Sequence, residues 1–97
     1  MKGHWIKFTK ENRKLVPNYL GVYQLANINK ELIYIGQGKM HDRLEFHSKH
    51  KAGIAYFRYV QMPSTVRCRQ NEKALIRAFV KKHGIKPLYN LQIGGID

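Results

Sequence analysis

Hydrophobic and polar positions divide the chain into five regular stretches. Leu20 to Ala26 and Glu31 to Gly36 are short, apolar and rich in β-formers. The loop between them, Asn27-Ile28-Asn29-Lys30, is brief and mostly polar, which predicts a β-hairpin. Gln37-Gly38-Lys39 reads as a connecting loop. Asp42 then favours a helix start, which predicts a helix to about His50 with Gly53 as its stop. Ala55 to Met62 carries Tyr56, Phe57, Tyr59 and Val60 and predicts a third strand. Pro63-Ser64-Thr65 offers a break and a cap. A long helix follows from about Val66 to His83, ended by Gly84, with Pro87 preventing resumption. Residues 1–18 are basic and without period, and read as an arm with at most a turn of helix. The order β-β-α-β-α predicts an α+β fold with a small three-stranded antiparallel β-sheet flanked by helices. Residues 19–97 are expected to form one domain.

Charge changes this picture most. Eighteen Lys and Arg stand against six Asp and Glu, giving a net charge of +12 on 97 residues. That excess points to an anionic partner, with nucleic acid first. A membrane span is not expected, because no apolar run approaches the required length. Cys68 is the one cysteine, which excludes an intrachain disulfide and a cysteine metal cluster and fits a reduced cytoplasmic setting.

Candidate chemistry lies on the predicted elements. Tyr23 and Tyr34 each stand beside a glycine in the hairpin strands, in Gly21-Val22-Tyr23 and Tyr34-Ile35-Gly36. Glycine there leaves room for a close approach to the backbone. Arg43 and His47 are one helical turn apart and share a face. Arginine can grip a phosphate through two parallel hydrogen bonds. Histidine can exchange a proton near neutral pH. Taken alone, the pair also fits a solvated polar face. In the long helix, Leu75, Ile76, Phe79 and Val80 gather on one face and Glu72 projects toward it. A carboxylate there needs a cation, an arginine or an exit to solvent. Arg69, Lys73, Arg77 and Lys81 form a basic stripe to one side. Asn90, in Lys86-Pro87-Leu88-Tyr89-Asn90, suits either a turn or a bracing hydrogen bond.

These residues occur in a known order. Gly21-Val22-Tyr23, Tyr34-Ile35-Gly36, Arg43, His47, Glu72 in Glu-Lys-Ala-Leu-Ile, and Asn90 in Pro-Leu-Tyr-Asn resemble the GIY-YIG nuclease family over residues 19 to 92. The resemblance implies metal-dependent hydrolysis of DNA phosphodiester bonds. It implies that Glu72 is the protein ligand of one divalent ion, Mg²⁺ or Mn²⁺. Arg43 would neutralise charge on the phosphate. Tyr23 would orient or deprotonate the attacking water, Tyr34 would position phosphate or water, His47 would assist, and Asn90 would brace the site. Gly36, Lys39, Arg69 and Lys73 are expected at the nucleic acid. Tyrosine is a weak base at neutral pH, and His47 has the better unperturbed pKa, so both stand as candidates for the general base. The chain departs from the family pattern at Val22, at Gln37 and in a shorter spacing from Tyr34 to Arg43. No targeting domain accompanies the motifs, so specificity falls to the domain itself, a homodimer, a separate partner or further sequence. A non-catalytic DNA- or RNA-binding module is the alternative that charge and aromatics alone support.

Overall fold

Leu20–Ala26 carries apolar residues on both faces, the pattern of a strand covered on both sides. It forms the inner strand β2 of the sheet. A computed structural model describes residues 3–91. Its elements are β1 (Ile6–Lys7), α1 (Lys10–Lys14), β2 (Leu20–Ala26), β3 (Leu32–Lys39), α2 (Met40–His50), β4 (Tyr56–Gln61), α3 (Thr65–His83) and a 3-10 helix, Leu88–Leu91. The sheet order is β1-β4-β2-β3, with every pair antiparallel. Among the described residues, no helix is long and apolar enough to cross a membrane.

The α+β class is as expected, but the sheet has four strands rather than three. The additional strand comes from the basic N-terminal segment, where Ile6 pairs with Phe57 and Lys7 with Tyr56. Two residues carry no periodicity of their own, so only the partner reveals the strand. Thr9 then caps α1 by accepting a hydrogen bond from the Asn12 amide at 3.1 Å. Arg13 ties α1 to α2 through Glu45 at 3.1 Å.

Gln37-Gly38-Lys39 is also strand rather than loop. Gly38 pairs with Gly21 and Lys39 with Leu20, so β3 runs directly into α2. That helix begins at Met40, two residues before Asp42. Its N-terminus is capped from outside: Asn18 Oδ1 accepts from the Asp42 amide at 3.1 Å. The long helix behaves as its sequence predicts. Ser64 caps it, and Gly84 closes it at φ 79°.

The sheet separates two apolar clusters. On one face, Tyr23, Leu25, Tyr34 and Phe57 pack with Met40 and Leu44 of α2. On the other, Val22 and Ile35 pack with Cys68, Leu75, Ile76 and Phe79 of α3. The register shifts by one residue between Leu25 and Ala26, leaving Ile33 as a bulge between Leu32 and Tyr34. The bulge keeps Tyr34 on the α2 face with Tyr23.

Candidate active site

Register builds the first part of the site. Tyr23 stands opposite Gly36, and Tyr34 lies two residues away on the same face of β3. A Cβ on Gly36 would stand 2.5 Å from Tyr23 Cζ and Oη and 2.6 Å from Tyr34 Cε2. Gly36 is therefore the seat of the Tyr23 ring. The close approach expected beside this glycine is made by the chain's own tyrosine. Gly21 does the same for Met40, whose sulfur occupies the space a Cβ would need.

The second part comes from α2. Met40, Leu44 and His47 recur at i, i+4 and i+7 and form its buried stripe. His47 thus occupies a core position. Its Nε2 lies 2.7 Å from Tyr23 Oη in a buried hydrogen bond, and its ring centroid is 4.8 Å from that of Tyr34. Tyr23 and His47 have no exposed surface, and Tyr34 has 1%. Burial lowers the His47 pKa to about 3, helped by the positive charges of Lys51, Arg43 and His50. The ordinary imidazole pKa expected of the residue type therefore does not hold in the fold. At neutral pH the imidazole is uncharged, with one nitrogen donating and the other accepting. Its Nδ1 has no hydrogen-bond partner among the described residues.

Arg43 lies on the same helix, one turn earlier. Its guanidinium carbon is 4.8 Å above the Phe46 ring. A Cβ on Gly38 would come within 3.3 Å of its Cγ, so Gly38 leaves a channel for the arginine stem. Nε and Nη2 are buried without a hydrogen-bond partner among the described residues. Phe46 and Lys51 escaped the sequence reading. Phe46 follows Arg43 by three residues, a spacing that puts both on one face of α2, and Lys51 is the extended residue that closes the helix after His50. Lys51 sets its ammonium 4.8 Å over the Tyr34 ring.

Asn90 arrives from the far end of the chain. Its Oδ1 accepts from the Ile35 amide and its Nδ2 donates to the Ile35 carbonyl, both at 2.9 Å. One side chain thus imitates a neighbouring strand at the edge of β3, between Tyr34 and Gly36.

Glu72 comes from the α3 side. Cys68, one turn before it, is buried against Val22 and Ile35, and the Gly38 backbone partly offsets the effect of that burial on its thiol. Burial raises the Cys68 pKa, and the Glu72 charge adds to that rise. Leu75 and Phe79 share a groove with Ile35 and Leu32. Helix α3 therefore runs against the Val22 and Ile35 face of the sheet, opposite Tyr23 and His47, with Glu72 between Cys68 and Leu75 along it. Lys39, Arg69 and Lys73 are exposed, and Gly36 is buried.

A family model described as a domain of unknown function, DUF7508, matches residues 1–82. The chain belongs to that family. This DUF7508 chain also has a GIY-YIG-like domain. It is similar to the GIY-YIG N-terminal endonuclease domain of UvrC from Thermotoga maritima, in a Tyr-to-Phe point mutant bound to its catalytic divalent cation. That match has a TM-score of 0.64 at 22% identity and covers 86% of this chain and 94% of the other. An Asn-to-Ala point mutant of the same domain, also bound to its catalytic divalent cation, matches with a TM-score of 0.62 at 22% identity. It covers 87% of this DUF7508 chain and 100% of the other. A search of curated proteins gave no match.

Proposed function

We propose that this chain is a divalent-metal-dependent endonuclease that hydrolyses DNA phosphodiester bonds. The observation that carries the reading is Arg43. Two guanidinium nitrogens buried without a partner are costly, at about 1–3 kcal/mol or more for a charged group. Such groups persist where the missing partner is a ligand. The planar fork matches two phosphate oxygens, and the net charge of +12 draws a polyanion toward it.

The donor set agrees with one hard cation. Among the described residues, no three His, Cys, Asp or Glu side chains converge. Zinc needs at least three such ligands, whereas Mg²⁺ or Mn²⁺ keeps its waters and takes the rest of its shell from one carboxylate and substrate phosphate. Glu72 would hold it. Such an ion, when bound, supplies positive charge at the phosphate and a more acidic water.

The chain's own residues do the remaining work. Arg43 binds the phosphate and meets the charge that grows on it. Tyr23 would first release its phenol proton to solvent as the cation and Arg43 favour the phenolate, and the phenolate would then take the water proton. His47, neutral at pH 7, serves it as a hydrogen-bond partner: an Nε2–H donating to the phenolate oxygen stabilises the deprotonated form. Burial lowers the His47 pKa to about 3, which weakens it as a base in the closed site and supports Tyr23 in that role. Tyr34 positions phosphate or water, and Asn90 holds the strand between the two. Lys39, Arg69 and Lys73 neutralise flanking phosphates. Tyr23 is closed to solvent, so this reading requires substrate binding to open the edge near Gly36 and Gly38.

That closure is also what favours the second reading, a non-catalytic nucleic-acid-binding module. One experiment separates them. Plasmid and single-stranded DNA are incubated with Mg²⁺ or chelator, alongside Glu72→Gln. The nuclease reading expects Mg²⁺-dependent cleavage that falls by at least about 10²-fold in the variant while DNA binding persists. Binding by the native chain without cleavage of any DNA or RNA would overturn it in favour of the module.

A further inference from the structure

The other face of the sheet carries a groove of about 570 Å³ that the proposed chemistry does not use. Its floor is Gln24 and Ile35, one wall is Leu75, Ala78 and Phe79 of α3, and the other holds Trp5 and Arg58. Arg58 is fixed from three sides. Its Nε donates to Gln24 Oε1 at 2.6 Å, Nη1 donates to the Gly3 carbonyl at 3.2 Å, and its carbon lies 4.0 Å over the Trp5 ring. This clamp leaves Nη2 and the second Nη1 proton for a ligand. Because the Gln24 carbonyl is occupied, its amide nitrogen adds a second donor. Lys30, Lys82 and His83 stand at the rim. The opposing charge is Glu31, which accepts from Asn27 Nδ2 at 3.0 Å.

We infer that this groove is a subsite for an unpaired nucleotide of single-stranded DNA. Donors on the floor suit base carbonyl or phosphate oxygens, the Phe79 and Leu75 wall suits the face of a base, and rim lysines suit the backbone. A duplex cannot offer a base face sideways, so the groove selects unpaired DNA. The subsite adjoins the cleavage site. Phe79 lies seven residues beyond Glu72, about 10 Å along the helix. Ile35, whose side chain lines the groove, has its backbone held by Asn90 between Tyr34 and Gly36. This inference rests on the nuclease reading only in naming the substrate: DNA with an unpaired segment beside the cleaved bond.

Trp5 is the sole tryptophan, so its emission reports the groove. The full chain is titrated with a thymidine hexanucleotide in chelator, where no cleavage intervenes. The expected result is a saturable change in Trp5 emission, weakened roughly tenfold in Ala78→Glu and in Lys82→Glu, since stacking and phosphate contacts are of that size. Ala78 is exposed, so its variant should keep the native melting temperature. A blunt duplex at equal nucleotide concentration should leave the emission unchanged. Equal responses to hexanucleotide and duplex, equal responses to hexanucleotide and polyglutamate, or unaltered affinity in both variants would each overturn the subsite. Because metal is absent, binding here alongside failed plasmid cleavage would sink the nuclease and leave the groove.

Discussion

On the α2 face of β2, Tyr23 sets its hydroxyl against His47, and neither has exposed surface. One residue further on, on the α3 face, Gln24 gives its carbonyl to Arg58 and borders an open groove. Both are polar residues of one inner strand. The first face pairs Tyr23 Oη with His47 Nε2 away from solvent, and leaves His47 Nδ1 without a hydrogen-bond partner among the described residues. The second keeps donors in reserve beside solvent. A closed face makes a weak acid or base adjustable, because low dielectric magnifies each nearby charge. An open face makes a binding surface. The two faces differ in access: the Tyr23 side is sealed by α2, and the Gln24 side opens to solvent beside α3, the helix that carries Glu72.

The strongest way to break this contrast is Gly36→Ala. The new methyl would meet two tyrosine rings, which are fixed by packing and cannot swing aside. A loss of about 3 kcal/mol is expected from overpacking, read by urea denaturation. A native-like midpoint would show that the closed face is looser than its geometry. Asn90→Ala comes next. It removes two hydrogen bonds from Ile35 and should cost about 2 kcal/mol, with faster hydrogen exchange at the Ile35 amide.

Arg43→Met tests the same face with the opposite sign. Nε and Nη2 of Arg43 lack a hydrogen-bond partner among the described residues, so replacing the guanidinium with an apolar chain should raise stability by about 1 kcal/mol while cleavage is lost. A destabilised variant would mean that Arg43 has a structural partner and is not held for a ligand. A further effect is on pH. His47 titrates near its ordinary pKa of 6.5 when unfolded and at about 3 when folded. Between these values the unfolded chain binds a proton that the folded chain refuses, so stability falls as pH drops through this window. Urea midpoints from pH 7 to pH 4 should fall less steeply in His47→Gln than in the native chain.

Some of this was legible residue by residue. Ser64 and Gly84 bracket α3 with local signals, and both caps form. The grouping of Glu72 with Leu75, Ile76 and Phe79 is a consequence of helical period alone. The placement of Tyr23 and Tyr34 on neighbouring strands needed only a hairpin, and the bulge at Ile33 then set them on one face. Other features carried no local signal. Gly38 resembles a loop residue because its strand character comes from Gly21, which pairs with it. Trp5, Gln24 and Arg58 are remote in sequence and meet only through the order β1-β4-β2. His47 shares a helix face with Arg43 and also continues the Met40–Leu44 stripe, and packing decided that it is buried.

The sequence by itself determined the α+β class, the two long helices, the hairpin and the order of the candidate residues, because period, caps and turn chemistry act within a few neighbours. Only the tertiary structure decided the fourth strand, the seat of Tyr23 on Gly36, the bracing of Ile35 by Asn90 and the protonation state of His47. Each of these depends on what another part of the chain brings into contact, and a pKa or a fit between rings does not exist until that contact is made.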